Sequence, residues 1–378
     1  MTAATNSPGT TTEFDCVILG SGVGGALLAL LLGRRGQRVL LLEAGSRPPT
    51  RGAEILKARG IRVLAEHGLL AELLNRGALE RVRIDIYHDG ALLLSYDFAE
   101  YTRLGLFLIV PYSRIVSVVL DACAELPNVD LRFGRRLLAL CSEQFPVSSA
   151  MLDDGTSIRA RTFVDAAGSL SALGTFVESA RDVTRQGQVL RMATVPVTAS
   201  VLSRNRLYFG SGGGLAYFYP IDNRTARVFV GFPREQDARI FDEHRDDLRA
   251  RLADFVTDTD DAVALLRADR FARVPIAVYT SKPYHRENVI LLGSAAFSPH
   301  PMTGQGMSYT LEDATVLAEI LTEATDAHRL ELLLQERYEP RRALHARLVA
   351  YGDALAASYH DRAAYLRAHD PVLHGGDR

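Results

Sequence analysis

Three stretches of the chain carry residues whose types and spacing could hold or perform chemistry. The first is GSGVGG at residues 20–25, a G-x-G-x-x-G pattern with glycine at 20, 22 and 25. Gly20 permits a tight turn, Gly22 lets a pyrophosphate approach the backbone, and Gly25 lets a helix pack close to a sheet. Glu43 stands 23 residues beyond Gly20. Its carboxylate can accept bonds from ribose hydroxyls and makes a poor host for a 2′-phosphate; the alternative is a solvated strand end. The second stretch, GSAAFSPHPMTGQGMSYTLED at 293–313, sets Gly293, Gly304 and Gly306 around Pro299 and Pro301. Such a rigid loop ahead of a helix presents backbone N–H groups to an electron-rich ring or a phosphate. The third is AYFYP at 216–220, where Tyr217 and Tyr219 alternate with Phe218 and so share one sheet face. Their hydroxyls could orient a phenol or an enol, or they form a half-buried amphipathic stripe. His300 is a candidate substrate ligand or base, or else a loop cap. His88, Tyr96, Tyr101 and Tyr208 are further pocket candidates.

The elements that must position these residues can be read from periodicity. Phe14–Leu19 reads as a buried strand, Val23–Arg35 as a helix, and Arg38–Leu42 as a second buried strand ending at Glu43. That is one βαβ unit, the context a dinucleotide fingerprint requires. Helical spacing continues through 53–76, where EILKARG gives Lys57 the look of an ordinary helix face. Alternation about His88-Asp89-Gly90 predicts a hairpin. A helix is expected at Ser113–Glu125, a strand at Val129–Phe133, and a hairpin turn at LDDG 152–155. Three strand-like runs occupy 206–232, a buried strand Asn288–Leu292, a helix Gln305–Thr322, and helices most of 329–368.

The fold class that follows is α/β: a Rossmann-type binding domain with an inserted, mostly antiparallel β-sheet substrate domain and C-terminal helices. The binding domain is expected at 1–78, 111–178 and 281–325, the substrate domain at 79–110 and 179–280, and the closing helices at 326–378.

Bulk properties narrow the classes of function. A net charge of −2 over 378 residues gives no reason to expect nucleic acid. Three cysteines, at 16, 123 and 141, are too few and too scattered for a disulfide framework or metal knuckle, so no metal site is expected. His345 and His360 read as surface residues of a helix. Residues 1–13 lack the order of a signal peptide, and the apolar run 17–32 is broken by four glycines, which speaks against membrane insertion. A cytoplasmic protein is the expectation.

The late glycine loop separates two dinucleotides. A nicotinamide needs no second strand–loop–helix, whereas a long cofactor with a pyrophosphate and a flavin ring does. GSAAFSPHPMTGQGM resembles the ribityl-binding segment of the class A flavoprotein monooxygenases, the group of p-hydroxybenzoate hydroxylase. Its usual form is G-D-A-A-H, then P-x-x-G-x-G, with Asn shortly after. Gly293, Ala295, Ala296, Pro301, Gly304, Gly306 and Asp313 fit, while Ser294 replaces the Asp and Phe297 the His. Asp165 in DAAGS resembles the middle motif, in the variant form seen in flavin-dependent halogenases and prenyl reductases. Arg114 looks like the helix arginine that reaches the FAD phosphate or ribityl region. Arg51 resembles the loop arginine beside the isoalloxazine, or is an exposed loop residue.

The resemblance implies bound FAD, transient NAD(P)H as reductant, O2 as co-substrate and a flavin hydroperoxide that oxygenates a small molecule. The aromatic or polyketide-like compounds of secondary metabolism are the expected substrates. With no second G-x-G-x-x-G, electrons come from transient nicotinamide or from a separate flavin reductase. Two alternatives keep the cofactor: a flavin-dependent reductase or dehydrogenase, and a redox-neutral FAD enzyme. Halogenation lacks the W-x-W-x-I-P segment, since the chain has no Trp, and lacks a credible channel lysine. A non-catalytic FAD-binding protein would leave so many strained glycines unexplained.

Overall fold

The computed structural model describes residues 13–49, 54–141, 146–171, 173–243 and 247–376. The chain opens with β1 (Glu13–Leu19), α1 (Val23–Arg34) and β2 (Val39–Glu43), followed by α2 (Ala58–Glu66). A hairpin of β3 (Arg83–His88) and β4 (Ala91–Asp97) comes next, then α3 (Tyr112–Ala124), β5 (Val129–Phe133) and β6 (Ser157–Asp165). A meander supplies β7 (Gln188–Pro196), β8 (Asn205–Phe209), β9 (Leu215–Pro220) and β10 (Thr225–Pro233). The chain returns through β11 (Val289–Leu291) to the long helices α4 (Gly306–Glu323) and α5 (Arg341–Ser358).

These strands build two principal sheets. In the first, β11, β6, β1, β2 and β5 lie side by side and parallel, with a hairpin (Leu137–Leu140, Ser149–Leu152) continuing from β6. α1 is buried from Val23 to Gly33 and packs on both α3 and α4. Its all-round burial explains why its sequence is apolar enough to suggest a membrane span. Among the described residues no helix is long and apolar enough to cross a membrane.

The second sheet runs Ala272–Val274, β7, β10, β9, β8, β3, β4. Two separate stretches of sequence therefore share one sheet, joined by the parallel pairing of β8 with β3; its other pairings are antiparallel. The expected turn at Asp89-Gly90 has positive φ at both residues, 46° and 74°, as a two-residue hairpin demands. Tyr217 and Tyr219 join the main core, while Phe218 joins a second core on the opposite face.

Three expectations need correction. Residues 55–56 form a short strand, and α2 starts only at Ala58. Lys57 is 2% exposed, and His345 is wholly buried, because α5 lies against the interior rather than over it; His360 is exposed.

Candidate cofactor site

The parallel register collects the sequence motifs at one edge. Leu19 pairs with Leu42 and with Asp165, and Asp165 pairs with Leu291. Gly20, Glu43 and Ala166 follow those residues directly and Gly293 follows two places after Leu291, so four distant segments meet at the carboxyl ends of the strands, where open α/β sheets bind ligands.

Each glycine of the first turn has its own reason. Gly20 has φ of +95°, and a Cβ there would sit 2.6 Å from the Ala166 carbonyl oxygen. A Cβ on Gly25 would lie 2.0 Å from the Gly20 carbonyl oxygen, so only glycine lets α1 pack this close. Gly22 is the N-cap of α1, with extended backbone and no side-chain cap. Glu43 accepts from the Ser21 N–H at 3.0 Å, the Ser21 hydroxyl at 2.8 Å and the Gly45 N–H at 2.9 Å. Those bonds fix its carboxylate against the turn. Asp165 is spent differently: it accepts from the Ala167 and Leu173 N–H groups and the Ser171 hydroxyl. Burial pushes its carboxyl up while these bonds oppose. It shapes the turn that backs Gly20.

The late loop combines left-handed Gly293 and Gly304, φ +61° and +59°, with a single turn at Pro301–Thr303. Gly306 opens α4. Like α1, α4 has no side-chain cap and no acidic residue in its first turn, and the two helices pack together. Two positive helix ends are thus offered to anionic or electron-rich groups. Ser294 is exposed beside this edge, as is Pro301.

Two expected contacts fall elsewhere. His300 Nδ1 accepts from the Met302 N–H at 3.3 Å, and its Cβ lies 2.8 Å from where a Cβ on Gly352 of α5 would be. Burial pushes its imidazole down to about 4. It caps the turn at Pro301–Thr303. Arg114 donates to the Gly77 carbonyl at 3.2 Å. The helix-end contact on α3 comes instead from Tyr112, whose Oη accepts from the Val23 N–H at 3.0 Å. Arg51 and Gly52 lie outside the described residues.

Sequence reasoning missed the residues that brace the loop. Lys57 donates to the carbonyls of Thr303 (2.7 Å) and His374, and burial brings its ammonium down to about 7. Pro371 and Leu373 offer carbonyls to Tyr96 Oη (2.7 Å) and Gln305 Nε2 (3.4 Å). Residues 369–376 thus form a hook held by three buried side chains. Phe297, where the family pattern has His, stacks on His345 at 3.7 Å, and His345 reaches Asp313 at 3.1 Å. Asp313 also pairs with Arg341. Ser308, shortly after Gly306 where the pattern has Asn, is buried with an unpartnered hydroxyl. No sequence signal marks Lys57 or the hook; the GQGMS departure could have marked Ser308.

The sheet face nearest the loop carries the tyrosines. Tyr219 Oη donates to buried Glu54 at 3.0 Å, and Arg227 pairs with the same carboxylate. Tyr217, 4.9 Å from Tyr219 between ring centres, has a buried hydroxyl beside the Asn205 side chain; burial pushes it up to about 12 while Asn205 opposes. Tyr208 belongs to the opposite face, its hydroxyl bonded to the Thr257 carbonyl. Tyr96 and Tyr101 stack on each other, with Tyr96 committed to the hook, and His88 pairs with Asp89.

The donor set fits FAD. The glycine turn and the end of α1 suit a pyrophosphate, Glu43 a ribose diol, and the Gly304–Gly306 loop a flavin ring. The arrangement defines an FAD-binding flavoprotein with the class A monooxygenase architecture. The chain belongs to the FAD binding domain family, whose model matches residues 13–352. It is 34% identical to PqsL of P. aeruginosa, solved in complex with 2-aminobenzoylacetate, with a TM-score of 0.88 over 94% of this chain and 99% of that one. It is also 29% identical to kynurenine 3-monooxygenase of Anopheles gambiae, over 87% of this chain and 72% of that protein. Rifampicin monooxygenase of Streptomyces venezuelae is likewise 29% identical, over 87% and 68%.

Proposed function

We propose that this chain is an FAD-dependent monooxygenase that places one atom of O2 into an electron-rich small molecule, aromatic or polyketide-like. NAD(P)H serves as reductant, directly or through a separate flavin reductase. When bound, FAD supplies the oxygen activation; the protein supplies binding, orientation and exclusion of water. The observation that carries the reading is the meeting of two helix N-termini, neither capped by its own N-cap side chain, at one sheet edge beside a tyrosine-bearing face. Gly20, Gly22, Gly25, Glu43 and the end of α1 hold the adenosine and pyrophosphate. Gly293, Ser294, Pro301, Gly304 and Gly306 hold the ribityl chain and ring. Glu54 and Arg227 fix Tyr219, which leaves the Tyr217 hydroxyl to orient substrate. Two of the relatives described above are named monooxygenases, which supports oxygenation.

The test is a panel of phenols, aminoaryl ketones and polyketide intermediates with enzyme, FAD, NAD(P)H and labelled O2, with and without an added flavin reductase. One labelled oxygen per product molecule is the expected result. Turnover of a substrate under strict anaerobiosis contradicts it.

A further inference from the structure

The space in front of Gly22 is occupied by a side chain. A Cβ built there points at Tyr112 Oη, 3.0 Å away, and nothing else beyond the adjoining chain lies within 4 Å. The same phenol takes the Val23 N–H, in the first turn of α1. A pyrophosphate that approaches Gly22 to use this helix end comes from the direction Tyr112 fills. The phenol is a neutral acceptor, and a phosphate oxygen makes a bond to the same N–H about twice as strong. Phosphate therefore wins the helix end, but only after Tyr112 has moved. The basic residue of the same turn of α3 faces elsewhere: Arg114 lies two residues on, about 200° around the helix, and is bonded to Gly77.

We propose that Tyr112 is a displaceable plug on the dinucleotide site, competing with the FAD pyrophosphate for the N-terminus of α1 and setting the cofactor's affinity. The inference rests on FAD binding alone, and the oxygen chemistry plays no part in it. Its signature is selectivity by ligand. Competition weakens ligands that carry a pyrophosphate and leaves alone those that lack one.

The experiment compares the full-length chain with its Tyr112→Phe variant, which keeps the ring and removes the hydroxyl. Fluorescence titration measures FAD, ADP and riboflavin affinities, and a flavin trap measures the rate at which FAD leaves the loaded protein. FAD and ADP should bind about three- to tenfold more tightly to the variant, with slower FAD release and riboflavin unchanged. Equal or weaker FAD and ADP binding in the variant, at an unchanged melting temperature, overturns the plug and makes Tyr112 a spectator or a phosphate ligand. Binding of FAD by neither protein overturns the FAD assignment and the plug with it.

Discussion

The glycine turn at 20–25 and the C-terminal hook at 369–376 brace opposite ends of one site by opposite means. The turn works chiefly through backbone: Gly25 meets the Gly20 carbonyl, Gly20 meets Ala166, and main-chain N–H groups bond the Glu43 carboxylate and the Tyr112 hydroxyl. The hook works through long side chains from three other segments, Tyr96, Lys57 and Gln305, each reaching a carbonyl. Geometry that excludes a Cβ leaves a sequence signature, because only glycine satisfies it. A carbonyl can be satisfied by many donors from anywhere in the chain, so the hook leaves none.

The largest expected effect tests the backbone side. Gly25→Ala forces an atom to within 2.0 Å of a main-chain oxygen. It should cost more than about 4 kcal/mol or abolish folding, as read by urea denaturation. A variant of near-normal stability would show that α1 can shift, and that the contact is less strict than drawn.

The hook side should instead respond to acid. Burial lowers His300 and His369 to about 4, and His374 well below its usual value. The unfolded chain protonates these groups near 6.5, so it binds more protons than the native state between about 6.5 and 4. Stability is therefore fully present above that window and falls as pH drops through it. By pH 5 the loss is about 2 kcal/mol each for His300 and His369. Urea midpoints equal at pH 7 and pH 5 would remove these imidazoles from the account.

Lys57→Met tests the same region more narrowly. Two buried carbonyls lose their donor, while a costly buried charge also disappears, so the net loss should be about 2 kcal/mol. Amide exchange at residues 369–376 should quicken while that of α1 stays unchanged. Uniform change across the chain would mean that the hook is not a separate unit.

Tyr217→Phe is the smallest change. Removing its buried hydroxyl, which lies beside Asn205, should alter stability by less than about 1 kcal/mol and weaken substrate affinity if the proposed role is right. Tyr219→Phe, which removes one donor from buried Glu54 and leaves it to Arg227 alone, should cost more. Equal costs would place both tyrosines in the same structural role.

The same contrast explains what the sequence could convey. The βαβ unit, its turn and the alternation of Tyr217, Phe218 and Tyr219 follow from period and glycine placement, and each appears where expected. The motifs mark Asp165 and Arg114, yet their side chains turn to Leu173 and Gly77. A motif fixes where a residue stands, while its rotamer answers to neighbours brought in by tertiary packing. Lys57 and His345 looked like surface residues because a helix periodicity does not announce which long side chains lie beneath another helix. The parallel pairing of β8 with β3 joins segments more than a hundred residues apart, and no local pattern encodes it.

The most direct measurement is titration of the full-length chain and its Gly22→Val variant with FAD, each followed by a melting curve. Gly22 faces only the movable Tyr112 hydroxyl, so the variant should fold with a nearly unchanged melting temperature. The added side chain should nevertheless block the pyrophosphate, so the unaltered chain binds one FAD and the variant none. Undiminished FAD binding by a folded Gly22→Val protein would contradict the placement of the cofactor at this turn.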